Sequence, residues 1–439
     1  MGTPPRDSRS ERTRQAVVHL LRERGTLSRA EIARATGMSR STVSGLISEL
    51  VADELVLELG TRLPPAGGRA GRPAAAVMLN PATGEAIGVD FGHRHVHVII
   101  ADVAHDVRIA KSVDMPSRYE PQQGLDAAAD LVQAAINEAG TQRARILGVG
   151  VSLPCAVDRR TGLPSSQRHS IWSGIPVAEE LGDRLRLPVL IGNDANLGAL
   201  AERQWGAGRD YEDLIYLKLH AGVGAAFISN GQLTRGANGI AGEVSHLVMD
   251  PTGPLCRCGR RGCLESYIGL PAVMRGLAHG YGDRLTLRNI ITMAWQGDRG
   301  CIRALAETGA MAGRVTSMLC GLFDPECVIV GGALAAAGEL LLGPLREAAA
   351  TADAHHGPDG PIITAAALGP QACALGAVAL VLGQTGEPRA HQPGAREAAA
   401  QVSRLPGGAP ASAASTYTAQ PAAMATARAT GTVTSRRTR

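Results

Sequence analysis

The chain has 439 residues, 45% of them hydrophobic, with eight cysteines and a formal charge of +4. The length suits two or three domains with a large core, and the polar start MGTPPRDSRSERTRQ, with no run of about 18 apolar residues anywhere, argues against a secretory signal or membrane span and for a cytoplasmic chain with reduced thiols. The charge is uneven: residues 1–73 hold twelve arginines and no lysine against eight acidic residues, and residues 385–439 hold seven arginines against two glutamates, which leaves an acidic middle.

Residues 10–80 read as three helices and a hairpin. In "RTRQAVVHLLRERG", Val17, Val18, Leu20 and Leu21 share one side, and Gly25 sits at the usual stop position. "SRAEIARATG" opens with Ser28 and has Glu31 three residues on, the pattern of a capping box, and Gly37 permits a left-handed turn. "SRSTVSGLISELVADEL" starts from a second serine cap, Ser39, with Val43, Leu46, Ile47 and Leu50 as its apolar stripe. Two short β-like runs, "LVLELG" and "AAAVMLN", flank the tip "TRLPPAGGRAGRP".

Two capped helices joined at a glycine form a helix-turn-helix, whose second helix enters the major groove by its N-terminal residues. That places Arg40, Ser41, Thr42 and Ser44 toward DNA. Arginine pairs with guanine, and hydroxyls reach phosphates or bases. Arg62, Arg69 and Arg72 in the tip suit a wing, because arginine favours a narrow minor groove. The plainer reading is a three-helix core with a solvated polar surface. The agreement of caps, turn glycine and basic tip favours DNA.

Residues 82–384 read as α/β. "EAIGVDFG", "HVHVIIADV" and "VRIAKSVDM" are successive strands, followed by the helix "GLDAAADLVQAAINEAG" and the strand "RILGVGVSLP". The order recurs in "DLIYLKLHAGVGAAFIS", a hairpin, and "ECVIVGGAL", a buried strand leading into a helix. Two similar lobes imply a ligand cleft between them. Residues 385–439 are rich in Ala, Thr, Ser, Pro and Gly and are expected to be a disordered tail.

Three of the eight cysteines fall in "CRCGRRGC", ten residues after His246. His246, Cys256, Cys258 and Cys263 form a nitrogen-and-sulfur set of four, which suits tetrahedral Zn²⁺ in a reducing compartment. Gly259 and Gly262 let the chain curl around an ion, and Arg257, Arg260 and Arg261 stand ready to offset the thiolates. Incidental core cysteines are the alternative. That reading is kept for Cys155, Cys301, Cys320, Cys327 and Cys373.

The segments "VDFG", "GVGVSLPCAVD", "IGNDANLGALAE", "HAGVGAAFISNGQLTRGANGIAGEVSH", "CRCGRRGCLES" and "VIVGGAL" together resemble the ROK family of bacterial repressors and sugar kinases. The resemblance covers residues 10–384. It implies a winged helix-turn-helix (10–80) followed by a two-lobed, actin/hexokinase-like (ribonuclease H-like) α/β domain (82–384) with a sugar in the cleft. It also implies that Asn193, Asp194, Glu243, His246 and Glu265 contact sugar hydroxyls, with Asp194 at the general-base position of the kinases. Two departures matter. "DFGHR" puts His93 and Arg94 where the kinases have Gly-Thr, and "HAG" puts His220 and Ala221 in the second phosphate turn. Side chains there obstruct ATP phosphates. Cys155 stands where the family usually has glycine.

The expectation is a sugar-responsive repressor of carbohydrate-metabolism genes. It binds operator DNA as a homodimer or dimer of dimers, answers to a sugar or sugar phosphate, carries Zn²⁺, and has no catalytic residues in use. An ATP-dependent sugar kinase with a DNA-binding head is the alternative.

Overall fold

The computed structural model describes residues 13–384, apart from 15, 19, 22–25, 64–73, 81–82, 105, 118, 159, 166–169, 283–284 and 353–359. The expected tail, 385–439, lies outside them, as does the stop at Gly25. Residues 13–14, 16–18 and 20–21 are helical and form a first helix, α1, with Val17, Leu20 and Leu21 buried and Val18 half-buried. Ser28 caps α2 (Arg29–Thr36) by accepting from the Glu31 amide, and the Glu31 carboxylate accepts from the Ser28 amide at 2.8 Å. Gly37 ends α2 at φ +69°, a left-handed value that glycine adopts without strain. Ser39 caps α3 (Arg40–Ala52), whose Val43, Leu46, Ile47 and Leu50 are all buried.

The wing differs from expectation in two ways. A short strand, β1 (Leu27–Ser28), joins β2 (Val56–Leu63) and β3 (Ala74–Leu79) in the order β1-β3-β2. Ser28 therefore serves both as strand end and as helix cap. β2 also runs on past the expected tip boundary, so Arg62 lies on a strand opposite Ala75. Arg69 and Arg72 lie outside the described residues.

The first lobe contains β4 (Glu85–Phe91), β5 (His95–Asp102), β6 (Val107–Asp114), α4 (Pro121–Ala139), β7 (Ile146–Leu153), α5 (Val177–Leu185) and β8 (Val189–Asn193). α4 starts at Pro121, earlier than the apolar pattern suggests, because proline is favoured in a first helical turn. After α6 (Asp194–Trp205) the second lobe follows with β9 (Leu214–Leu219), β10 (Val223–Ser229), β11 (Gln232–Thr234), α7 (Glu265–Ile268), α8 (Leu270–Tyr281), α9 (Leu287–Trp295) and α10 (Arg299–Phe323). It closes with β12 (Cys327–Gly331), α11 (Glu339–Ala352), β13 (Ile362–Ala365) and α12 (Ala372–Gln384). β12 does not pass straight into a helix: a 3-10 stretch, Ala333–Ala337, intervenes.

The lobes share one connectivity. Their sheets run β6-β5-β4-β7-β8 and β11-β10-β9-β12-β13. In each, the first strand of an antiparallel meander pairs in parallel with a later strand, which pairs in parallel with the last. Glycines seat α12 on the first sheet: a Cβ at Gly88 or Gly150 would lie 2.0 Å from the carbonyl oxygen of Ala374 or Ala377. Gly376 likewise lets α12 cross α6, since a Cβ there would lie 1.8 Å from the Leu197 carbonyl oxygen. Buried residues of α12, including Leu375, Val378 and Leu382, belong to the same cluster as Val17, Leu21 and Leu79 of the head. The core of the head is therefore continuous with that of the body. Among the described residues no helix is long and apolar enough to cross a membrane.

Candidate functional site

Between the lobes lies a cavity of about 690 Å³, lined by both sheets' ends and by the start of α12. All five residues that the resemblance assigns to a sugar line it: Asn193, Asp194, Glu243, His246 and Glu265. Asn193 is the N-cap of α6. Its side-chain oxygen accepts from the Ala195 and Asn196 amides at 3.0 and 3.1 Å, and its amide donates to the Cys155 carbonyl at 3.2 Å. The cap thus fixes the neighbouring Asp194 at the first helical position, where the helix dipole favours a carboxylate. At the other end of α6, buried Glu202 accepts from the amides of Ala367 and Leu368 at 3.0 and 2.9 Å. One helix therefore ties the cleft to the segment that leads into α12.

Sequence reading missed Lys218. Its ammonium lies 2.6 Å from Asp194 Oδ2, with the two side chains 15% and 17% exposed. Burial works against this charge, but the carboxylates of Asp194 and Asp90 outweigh it and hold the ammonium well above the ordinary lysine range. Lys218 is the one charged residue in "LIYLKL", an otherwise apolar strand, and that isolation was the available signal. An ion pair this close competes with any use of Asp194 as a general base.

Glu243 begins the 3-10 turn Val244–His246. Burial, with the charges of Asp194 and Glu265 nearby, pushes its carboxyl up to about 7. Glu265 opens α7 and accepts from Arg257 at 2.9 Å. Arg257 thus corrects one expectation: instead of facing the thiolates, it reaches into the cleft. Two cysteines correct another. Cys155 and Cys373 line the cavity, and Cys373 Sγ lies 3.4 Å from the Lys218 ammonium, so neither is a remote core residue. Burial pushes both thiols up to about 12, which leaves them protonated and unreactive.

Two of the departures from the kinase pattern, His93 and His220, meet in the cavity. His93 on the first lobe and His220 on the second stack across the cleft, with ring centroids 6.4 Å apart and planes 7° apart. Burial, with Lys218 and His93 beside it, pushes the His220 imidazole down to about 3, so it is neutral.

Next to the cleft, the ligand atoms of His246, Cys256, Cys258 and Cys263 all lie within 4.8 Å of one another. His246 Nδ1 is 3.6 Å from Cys256 Sγ, and Cys258 Sγ is 3.5 Å from Cys263 Sγ. Zn–S bonds of about 2.3 Å imply tetrahedral edges of about 3.8 Å, so this donor set fits zinc in both chemistry and spacing. Gly262 makes the curl possible: φ is +65°, and a Cβ would lie 1.6 Å from the Asp250 carbonyl oxygen.

On the head, Arg40, Ser41 and Thr42 are exposed and Ser44 is half-buried, on the first turn and a half of α3. The Ser39 hydroxyl lies 2.9 Å from that of Ser41 and 2.8 Å from that of Thr42, so the hydroxyls support the cap as well as facing outward.

Residues 86–384 match the family model described as ROK family, and residues 13–70 match that of the MarR family. The xylose repressor of Caldicellulosiruptor bescii is 30% identical over 344 residues, covering 75% of this chain and 85% of that protein. A ROK family transcriptional regulator, a homologue of the E. coli MLC protein, superposes with a TM-score of 0.70 at 21% identity, over 86% of this chain and 97% of that one. A ROK family glucokinase from Streptomyces griseus, solved with glucose and AMPPNP, gives 0.61 at 30% identity, over 68% and 99%. The doubled lobe topology, the cleft and the family match lead to one conclusion: this chain belongs to the ROK family and carries an N-terminal winged helix of the MarR type.

Proposed function

We propose that the protein is a sugar-responsive transcriptional repressor that binds operator DNA through its head and a sugar or sugar phosphate through its cleft. The observation that carries this is the cleft itself. The sugar-facing set Asp194, Glu243, His246 and Glu265 lines one cavity, while His93, His220 and the Lys218–Asp194 pair occupy what a kinase needs for ATP and base. The xylose repressor relative supports the same reading. Zn²⁺ held by His246, Cys256, Cys258 and Cys263 supplies a fixed charge and a rigid loop, and with it a fixed place for His246 and Arg257 at the cleft wall. The chain acts as a homodimer in the cytoplasm, so half-sites lie about one helical turn, or a multiple, apart.

Sugar hydroxyls donate, so the ionised form of Glu243 is the better acceptor. Its carboxyl titrates near 7, and sugar binding therefore releases a proton. Affinity should rise with pH through about 7 and level off above it. In Glu243→Gln the dependence should flatten, which calorimetry across pH 6–8 checks.

Arg40→Ala should lower discrimination between operator and random DNA by about 1–3 kcal/mol if Arg40 reads guanine. Equal discrimination in a competition gel shift would remove Arg40 from that role. The kinase alternative draws on Asp194, which keeps the position of the base. An ATP-dependent phosphorylation assay over a sugar panel separates the two readings. No turnover is expected, and a rate of about 1 s⁻¹ or more would make the protein an enzyme.

A further inference from the structure

A second group of metal-binding side chains lies in the first lobe, apart from the cysteine loop. Asp90 is the penultimate residue of β4, and His95 and His97 lie two residues apart on β5, so both imidazoles project from one face of the sheet. Asp90 sits directly opposite His97 in the antiparallel ladder. One ligand atom from each of the three falls within 4.8 Å of the others. The two rings stack face to face at 4.0 Å, and His95 Nε2 is 3.2 Å from Asp90 Oδ2. The hydrogen bond holds His95 to Asp90, and the strand register brings His97 to the same point.

The surroundings are arranged for these side chains. Gly92 makes room for His95, because a Cβ there would lie 2.2 Å from the ring. The Tyr119 hydroxyl donates to the Gly92 carbonyl at 2.9 Å and fixes the turn. The Pro370 carbonyl hydrogen-bonds the His97 ring, the kind of backbone partner that orients metal-ligating imidazoles. Charge also favours a cation. Asp90, Glu120, Asp194, Glu243 and Glu265 line the cavity against Lys218 and Arg257. Lys218 lies close to Asp90 but is paired with Asp194 at 2.6 Å.

We infer that Asp90, His95 and His97 form a second metal site, one that takes a divalent transition-metal ion and opens into the cleft. Two imidazoles and a carboxylate suit Zn²⁺, Co²⁺, Ni²⁺ or Fe²⁺. Three protein ligands leave positions free, as in sites that exchange water or bind a ligand oxygen. Asp90 and His95 line the cavity, so those positions face the space where the sugar is proposed to sit. All three ligands belong to the first lobe, and the inference does not depend on what the cleft binds.

The test uses the full chain, brought to one zinc per chain as checked by elemental analysis, and titrated with Co²⁺ by calorimetry and X-ray absorption. The expected result is one added Co²⁺ per chain, with nitrogen and oxygen ligands and no sulfur. His95→Gln/His97→Gln should weaken that binding by about a hundredfold while keeping its original zinc and its operator affinity, which shows that it is folded. The wild-type spectrum stands even if the variant fails to fold. Sulfur in the Co²⁺ shell, no binding below about 1 mM, or undiminished binding in the folded variant would each overturn the inference.

Discussion

Cys258→Ser should release one zinc equivalent per chain relative to wild type and lower the stability of the second lobe by several kcal/mol. Serine is a poor ligand for a borderline-soft ion, and in a structural site the metal-binding free energy is folding free energy, about 10–16 kcal/mol in isolated zinc fingers. The loop keeps some scaffold of its own, since the Cys256 amide donates to the Arg260 carbonyl at 2.7 Å and the Met249 amide to that of Gly262 at 2.8 Å. The loss is therefore a fraction of the finger value. Sugar affinity should fall as well, because Arg257 pairs with Glu265 across the loop edge. Elemental analysis with thermal denaturation reads both effects. A variant that keeps its full zinc would remove Cys258 from the ligand set.

Lys218→Met should destabilise the body by roughly 3 kcal/mol, the low end of the range for breaking a buried ion pair. The two side chains keep 15% and 17% of their exposure, so water screens them a little. The cost comes from Asp194, left charged in the cavity without its partner. Adding Asp194→Asn should recover most of it: asparagine is neutral, and its side-chain oxygen can still accept from the Ala195 amide, as Asp194 does at 2.7 Å. Urea denaturation of both single variants and the double gives the coupling directly. Equal midpoints for Lys218→Met and wild type would show that the pair contributes nothing to stability.

Local signals carried the head. Ser28, Glu31, Gly37 and Ser39 act within four residues of their partners, so caps and turn were legible, and the buried stripe of α3 followed from its period. Most strands of the body and the repeated lobe order were legible for the same reason, but the short edge strands β8, β11 and β13 were not. β1 was not: two residues carry no periodicity, and Leu27–Ser28 becomes a strand only because β3 returns from a distant point in the chain to pair with it.

The candidate cleft was legible where a compact motif marks it, as from Glu243 to Glu265. It was not where partners are far apart. Lys218 meets Asp194 across 24 residues and Cys373 across 155, and Glu202 reaches Leu368 across 166. Alternation along β5 shows that His95 and His97 share a face, but only the β4–β5 register brings Asp90 to it. Arg257 could be assigned to the metal loop by proximity in sequence, and it turned the other way because Glu265 presents a half-buried carboxylate.

The central claim is that the cleft senses a sugar and reports it to DNA. Coupling of about 1–3 kcal/mol, a shift of roughly 5–150-fold in operator affinity, is what a useful switch requires. The direct measurement is fluorescence anisotropy of labelled operator DNA with the full chain, titrated with sugars and sugar phosphates, in wild type and in Glu243→Ala. The account predicts that one ligand releases wild-type protein from DNA within that range, and that Glu243→Ala neither binds this ligand nor responds to it. A variant that has lost ligand binding in calorimetry yet still leaves DNA when the ligand is added would contradict it.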